Sequence, residues 1–136
     1  MSKMLNISEA ATIALHTTAL LADDPEKMLS VKDIVNKITV SPAHLSKVLQ
    51  RLGKVGLVKS LRGPKGGFLL AKDPHEITLL DVYESIDGPM TSSACLLDSP
   101  ICNGKCILDT VLEDVNKEVF RILKNTRLSD LSGIYK

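Results

Sequence analysis

Three cysteines are the residues of this chain best suited to chemistry. Cys95, Cys102 and Cys106 fall within twelve residues, with six residues between the first pair and three between the second. Thiols in a reducing compartment serve as metal ligands or reactive groups more often than as disulfides. The spacing is neither that of a zinc ribbon, which pairs C-x-x-C knuckles, nor that of the closely repeated ferredoxin cysteines. Three thiolates on one loop can converge on a single centre, and the remaining ligand must then come from elsewhere. A second group of residues concerns charge. From Ile34 to Lys72 there is no acidic residue, but there are eight basic ones: Lys37, Lys47, Arg51, Lys54, Lys59, Arg62, Lys65 and Lys72. The whole-chain net charge of +1 hides this run.

The elements that must carry the basic run can be read from local signals. Ser30 and Asp33 form an S-x-x-D capping box, and Val31, Ile34, Val35 and Ile38 then repeat at helical spacing. Thr39-Val40 leaves room only for a tight turn. Ser41-Pro42 is an N-cap followed by proline at the first helical position, where its missing N–H costs nothing. Leu45, Val48, Leu49 and Leu52 face inward from this second helix, and Gly53 and Gly56 offer stops at its end. Two short helices so joined form a helix-turn-helix, whose second helix enters the DNA major groove with its N-terminal residues leading. Leu57 to Leu61 reads as a strand, Phe68 to Ala71 as its return, and Arg62-Gly63-Pro64-Lys65-Gly66-Gly67 as the tip between them. A charged, glycine-rich tip suits the sugar–phosphate backbone or the minor groove. Base readout then falls to Ser41, Pro42, His44, Ser46 and Lys47. Arg51, Lys54 and Lys59 face phosphates, and Arg62, Gly63 and Lys65 serve the wing.

Composition narrows the class further. The chain has 136 residues, 44% of them hydrophobic, yet its aromatics are only Phe68, Phe120, Tyr83 and Tyr135. That scarcity argues against single-stranded nucleic acid, which needs stacking platforms, and leaves double-stranded DNA. No secretory signal and no membrane-length apolar run is visible, which predicts a cytoplasmic protein without a membrane partner. No phosphate loop and no catalytic Ser/His/Asp set is present, so an enzyme or electron carrier is the weakest reading. Residues 1–75 hold eleven Lys/Arg against six Asp/Glu, whereas 76–136 hold six against ten. A basic front and an acidic rear fit a DNA-facing module joined to a part that faces away.

Ser8 caps a first helix reaching to about Ala22, which braces the other two. Thr78 and Asp81 repeat the capping-box pattern and open a helix that Gly88-Pro89 stops. Met90 to Lys105 lacks periodicity. From about Ile107 to Lys124, Leu108, Val111, Leu112, Val115, Val119, Ile122 and Leu123 repeat at helical spacing. So small a core has little left to cover that stripe, which predicts a second copy of the helix in a symmetric homodimer. The expected architecture is mainly α with a small β-hairpin. It comprises a winged helix-turn-helix domain over 1–88, a cysteine loop over 89–106, and a dimerisation helix with its tail over 107–136.

These segments resemble the Rrf-type family of winged-helix transcriptional regulators, with its IscR-, NsrR-, RsrR- and CymR-like branches. The resemblance is carried by SEAATIALHTTALLA, SPAHLSKVLQRLGKVGLV, SLRGPKGGFLLAKD, ITLLDVYESIDGP, the cysteine loop and the closing TRLSDL, and so covers nearly the whole chain. It implies a homodimeric DNA-binding repressor or activator. In many members three cysteines hold an iron–sulfur cluster, so Cys95, Cys102 and Cys106 would be ligands here, a [2Fe-2S] cluster being favoured over [4Fe-4S]. The gaps depart from the commoner five-and-five spacing. His16, within A-L-H, matches a histidine ligand of the RsrR-like branch. The acidic ligand position of that branch matches Thr12, which cannot serve. Asp109 stands where another branch has histidine three places after the last cysteine. It is also a simple first-turn helix acid. The alternatives are a cluster-free CymR-like regulator controlled by a protein partner or thiol oxidation, and a zinc-stabilised one.

Overall fold

In the computed structural model, residues 7–89, 109–131 and 133 are described, with side chains at 109, 110 and 112 outside that description. The order is α1 (Glu9–Asp23), α2 (Val31–Ile38), α3 (Pro42–Lys54), β1 (Val58–Leu61), β2 (Gly67–Leu70), α4 (Leu79–Asp87), α5 (Asp109–Asn125) and a 3₁₀ turn over Leu128–Leu131.

Caps set most of the helix starts. Ser8 Oγ accepts from Ala11 N at 3.0 Å, and Ser41 Oγ from His44 N at 3.1 Å, with Pro42 opening α3. Ser30/Asp33 and Thr78/Asp81 both close reciprocal capping boxes. The Ser30 backbone and hydroxyl bonds hold the exposed Asp33 carboxyl below its ordinary pKa. Gly88, at φ 80°, ends α4.

Helix α1 is more than a brace against one face. Ala11, Ile13, Ala14, Thr17, Thr18, Ala19, Leu20, Leu21 and Ala22 are all buried. Small side chains let α4, α3, β2 and the 3₁₀ turn pack around it. Ile34 of α2, with Leu45, Val48, Leu49 and Leu52 of α3, completes the helix-turn-helix core. Gly53 does not stop α3, which runs on to Lys54, and Gly56 at φ 79° makes the turn instead. Leu128 returns to the same core, where its N–H donates to Ile77 O at 2.9 Å.

The hairpin pairs Val58 with Leu70, Lys59 with Leu69, Ser60 with Phe68 and Leu61 with Gly67. Of β1 only Val58 is buried, and Leu61 is 48% exposed, because only the base of the strand lies over the core. Leu29 adds an antiparallel bridge on the outer edge of β2, with Leu29 N donating to Phe68 O at 3.1 Å and Phe68 N to Leu29 O at 2.8 Å.

The turn of the helix-turn-helix carries strain. Thr39 caps α2 at φ 47° and ψ 71°, a left-handed conformation in which its N–H reaches Val35 O. A β-branched residue there costs about 1–2 kcal/mol. Thr39→Gly is expected to stabilise the fold by about 1 kcal/mol, less the glycine's larger unfolded entropy. Urea unfolding checks it, and a lower midpoint would show that the Thr39 side chain contributes more than its backbone costs.

Candidate nucleic-acid interface

Helix α3 and the hairpin enclose a groove of about 760 Å³. One wall is Ser46, Gln50, Gly53 and Lys54 from α3, and the other is Lys59, Ser60 and Arg62 from the hairpin. Leu49, Val58 and Phe68 form its floor. The buried leucines of α3 fix its rotation, so Lys47, Gln50, Arg51 and Lys54 stand exposed on the remaining faces. Among the described residues, none of Lys47, Arg51, Lys54, Lys59, Arg62 and Lys65 is in an ion pair. A concave strip with three cations, hydroxyls and an amide, and no neutralising carboxylate, can follow a phosphate backbone.

The expected DNA-contacting set is therefore divided. Ser46, Lys59 and Arg62 share this groove. Pro42, Lys47, Arg51, Gly63 and Lys65 are exposed but line neither this groove nor the next. Ser41 and His44 line a second groove, of about 560 Å³, against α1. Its α1 wall is Glu9, Thr12, Ile13 and His16, and Lys37, Ile38, Thr39 and Val40 complete it. His44 Nδ1 stands 4.0 Å from Glu9 Oε1. Gln50 and Ser60 were not among the expected contacts. Gln50 lies one helical turn after Ser46, a spacing that marks a shared face of α3.

The wing glycines have separate duties. Gly63, at φ 123°, turns the tip and has open space around it. Cβ atoms on Gly66 and Gly67 would collide with backbone, that of Gly66 with Leu61 O and that of Gly67 with Leu29 O at 2.7 Å. Packing of the hairpin therefore explains two of the three glycines without a phosphate. Arg62 and Lys65 remain the tip charges. Arg62→Ala with Lys65→Ala is expected to weaken all duplexes alike and flatten the salt dependence by up to about two phosphate contacts. Titrations at several salt concentrations read it, and an unchanged slope would remove the wing from the backbone contact.

Cys95, Cys102 and Cys106 lie outside the described residues. Asp109 is the first residue of α5, its side chain also outside the description. His16 is exposed on α1, one turn after Thr12. Among the described residues no three His, Cys, Asp or Glu side chains come together as metal ligands. His16 presents an exposed imidazole on α1 beside the groove that Thr12 also lines.

A two-helix reading unit, a basic groove and a two-stranded wing define a winged-helix DNA-binding regulator. The Rrf2 family model, described as an iron-dependent transcriptional regulator, matches residues 7–133. The chain belongs to the Rrf2 family of transcriptional regulators and is not an enzyme. It is 29% identical to the HTH-type transcriptional regulator NsrR of Shouchella clausii, over 93% of this chain and 88% of that one. It is 31% identical to the HTH-type transcriptional regulator IscR of Serratia proteamaculans, over 88% and 69% respectively. The solved structure of CymR, the global cysteine regulator of B. subtilis, superposes with a TM-score of 0.82 at 28% identity, over 97% of this chain and 99% of that one. Among the described residues no helix is long and apolar enough to cross a membrane.

Proposed function

We propose that the chain is a cytoplasmic, homodimeric regulator, acting as a repressor on double-stranded DNA, that senses redox, iron or nitric oxide status through an iron–sulfur cluster. Cys95, Cys102 and Cys106 would hold the cluster, with His16 of the partner subunit as the remaining ligand and Asp109 as its alternative. The observation that carries this reading is the presence, on one chain, of an uncompensated basic groove and three cysteines within twelve residues. Similarity to proteins named NsrR and IscR, and the iron-dependent description of the family, support it. When bound, such a cluster supplies a centre whose oxidation or loss changes local charge and coordination. The chain's own residues do the reading: His44, Ser46 and Lys47 at base edges, Arg51, Lys54, Lys59 and Arg62 at phosphates.

Anaerobic purification with iron, sulfide and zinc analysis and an absorption spectrum tests it. Wild-type protein is expected to be coloured and to carry iron with sulfide. Cys102→Ala is expected to lose both while keeping the fold. His16→Ala is expected to leave a cluster with an altered spectrum and faster loss. Colourless wild-type protein without iron or sulfide would favour a second reading, a cluster-free regulator answering to a protein partner or thiol oxidation. The likeness to CymR along almost the whole chain favours that alternative.

A further inference from the structure

The first turn of α1 joins two places that are distant in sequence. On one side, Ser8 N donates to Asp87 Oδ2 at 3.2 Å and Ser8 Oγ donates to Asp87 Oδ1 at 2.5 Å. Asp87 is the last residue of α4, so its carboxylate ties the end of α4 to the N-cap of α1. Ser8 also accepts from Ala11 N, and Ser8 O receives both Thr12 N and Thr12 Oγ1, each at 3.0 Å. The first turn is thereby fixed to α4. Its dipole end also faces a negative charge, the favourable sign there. On the other side, the next residue, Glu9, reaches His44 Nδ1 at 4.0 Å. His44 is the third residue of α3, and its N–H is held by Ser41 Oγ.

The Glu9–His44 separation is too long for a hydrogen bond but places the carboxylate beside the ring, where it favours one orientation of the imidazole. With Nδ1 turned toward the Glu9 carboxylate, Nε2 points away from α1. Which ring nitrogen is presented, and at what angle, decides which base-edge group the side chain can meet.

We infer that Glu9 and Asp87 are positioning residues for DNA readout. Asp87 fixes the first turn of α1 through Ser8, and Glu9 on that turn sets the ring orientation of His44. This rests on the reading that the N-terminus of α3 faces base edges. Neither Glu9 nor Asp87 need touch DNA, and both would nonetheless set base preference at the position His44 meets.

The test uses the full chain and a duplex library with a random core, from which each variant selects its own sites. Affinity is then measured on the duplex that the wild-type protein selects. His44→Ala is expected to flatten the preference at one position of each half-site. Glu9→Gln and Asp87→Asn are each expected to lower discrimination at that same position by about 3- to 10-fold, leaving the salt slope unchanged. Either change added to His44→Ala should cost nothing further in discrimination. Asp87→Glu should restore part of the Asp87→Asn loss. The exposed Glu9 can be replaced without a burden on folding, so Glu9→Gln keeps the test clear of simple destabilisation. If Glu9→Gln leaves the preference untouched, or adds to His44→Ala, the positioning role is overturned while the DNA-reading helix stands. If His44→Ala itself changes no preference, His44 is not a base reader and the inference falls with that reading.

Discussion

Gly67→Ala is expected to lower stability by about 3 kcal/mol and to loosen the wing from the body of the domain. Gly67 is buried at the start of β2, paired with Leu61. A Cβ there would stand 2.7 Å from Leu29 O, 2.9 Å from Leu29 C and 3.2 Å from Ser30 N. All three are backbone atoms, so no side chain can rotate away. The added methyl must push the 29–30 backbone off β2. That opens the Leu29–Phe68 bridge and disturbs Ser30, the cap of α2. Overpacking of this kind costs about 1–3 kcal/mol, and each hydrogen bond forfeited adds about 1 kcal/mol. For a chain of this size the melting temperature should fall by on the order of 10 °C. DNA affinity should fall as well, since Lys59, Ser60 and Arg62 move with the hairpin. Gly63→Ala is the control: its site is open, so only the φ of 123° opposes alanine, and the loss should be about 1 kcal/mol. Equal melting temperatures for Gly67→Ala and wild type would show that the bridge is not rigid.

This glycine shows what was legible in the sequence and what was not. The R-G-x-x-G-G tip marked a hairpin, because turn chemistry is local. It did not show that Gly67 answers to Leu29, thirty-eight residues earlier. Likewise the two capping boxes and the Ser41-Pro42 start were readable, since each involves partners three residues apart. The burial of α1 on more than one side was not. Periodicity reports one apolar stripe, whereas Thr17 and Thr18 are buried because neighbours close over them from several sides. The basic run gave the proposed DNA face its sign, but not its division into two grooves. That division depends on α1 crossing beside the turn between α2 and α3, a tertiary fact with no local signature.

Aspartates at Val115 and Val119 are expected to convert the proposed homodimer into folded monomers. Helix α5 has no side chain described as buried within one chain. Val111 is 53% and Ile122 47% exposed, and Val115, Val119 and Leu123 are half-buried. At 100° per residue, Val111, Val115, Val119 and Ile122 fall within one quadrant of the helix. The opposite side carries the ion pair of Lys117 with Glu113, at 3.0 Å, and Lys124 over the Phe120 ring, while Arg121 reaches back to Glu118 at the border of the strip. One face is thus finished for water, and the other is an aliphatic strip that the described residues of its own chain leave partly open. A second α5 supplies the matching strip, and two-fold symmetry brings each substituted residue close to its own copy or its neighbour. A charge placed there is buried unpaired, at about 3–5 kcal/mol, so the dissociation constant should rise by at least about a thousandfold. Among the described residues no α5 side chain belongs to the buried core from Ala11 to Leu128, so the monomer is expected to stay folded. Binding should fall most on duplexes carrying two half-sites about one helical turn apart, and least on a single half-site. Sedimentation of the double variant measures the first effect and duplex titration the second. A folded dimer that still discriminates paired from single half-sites would place the interface on another surface.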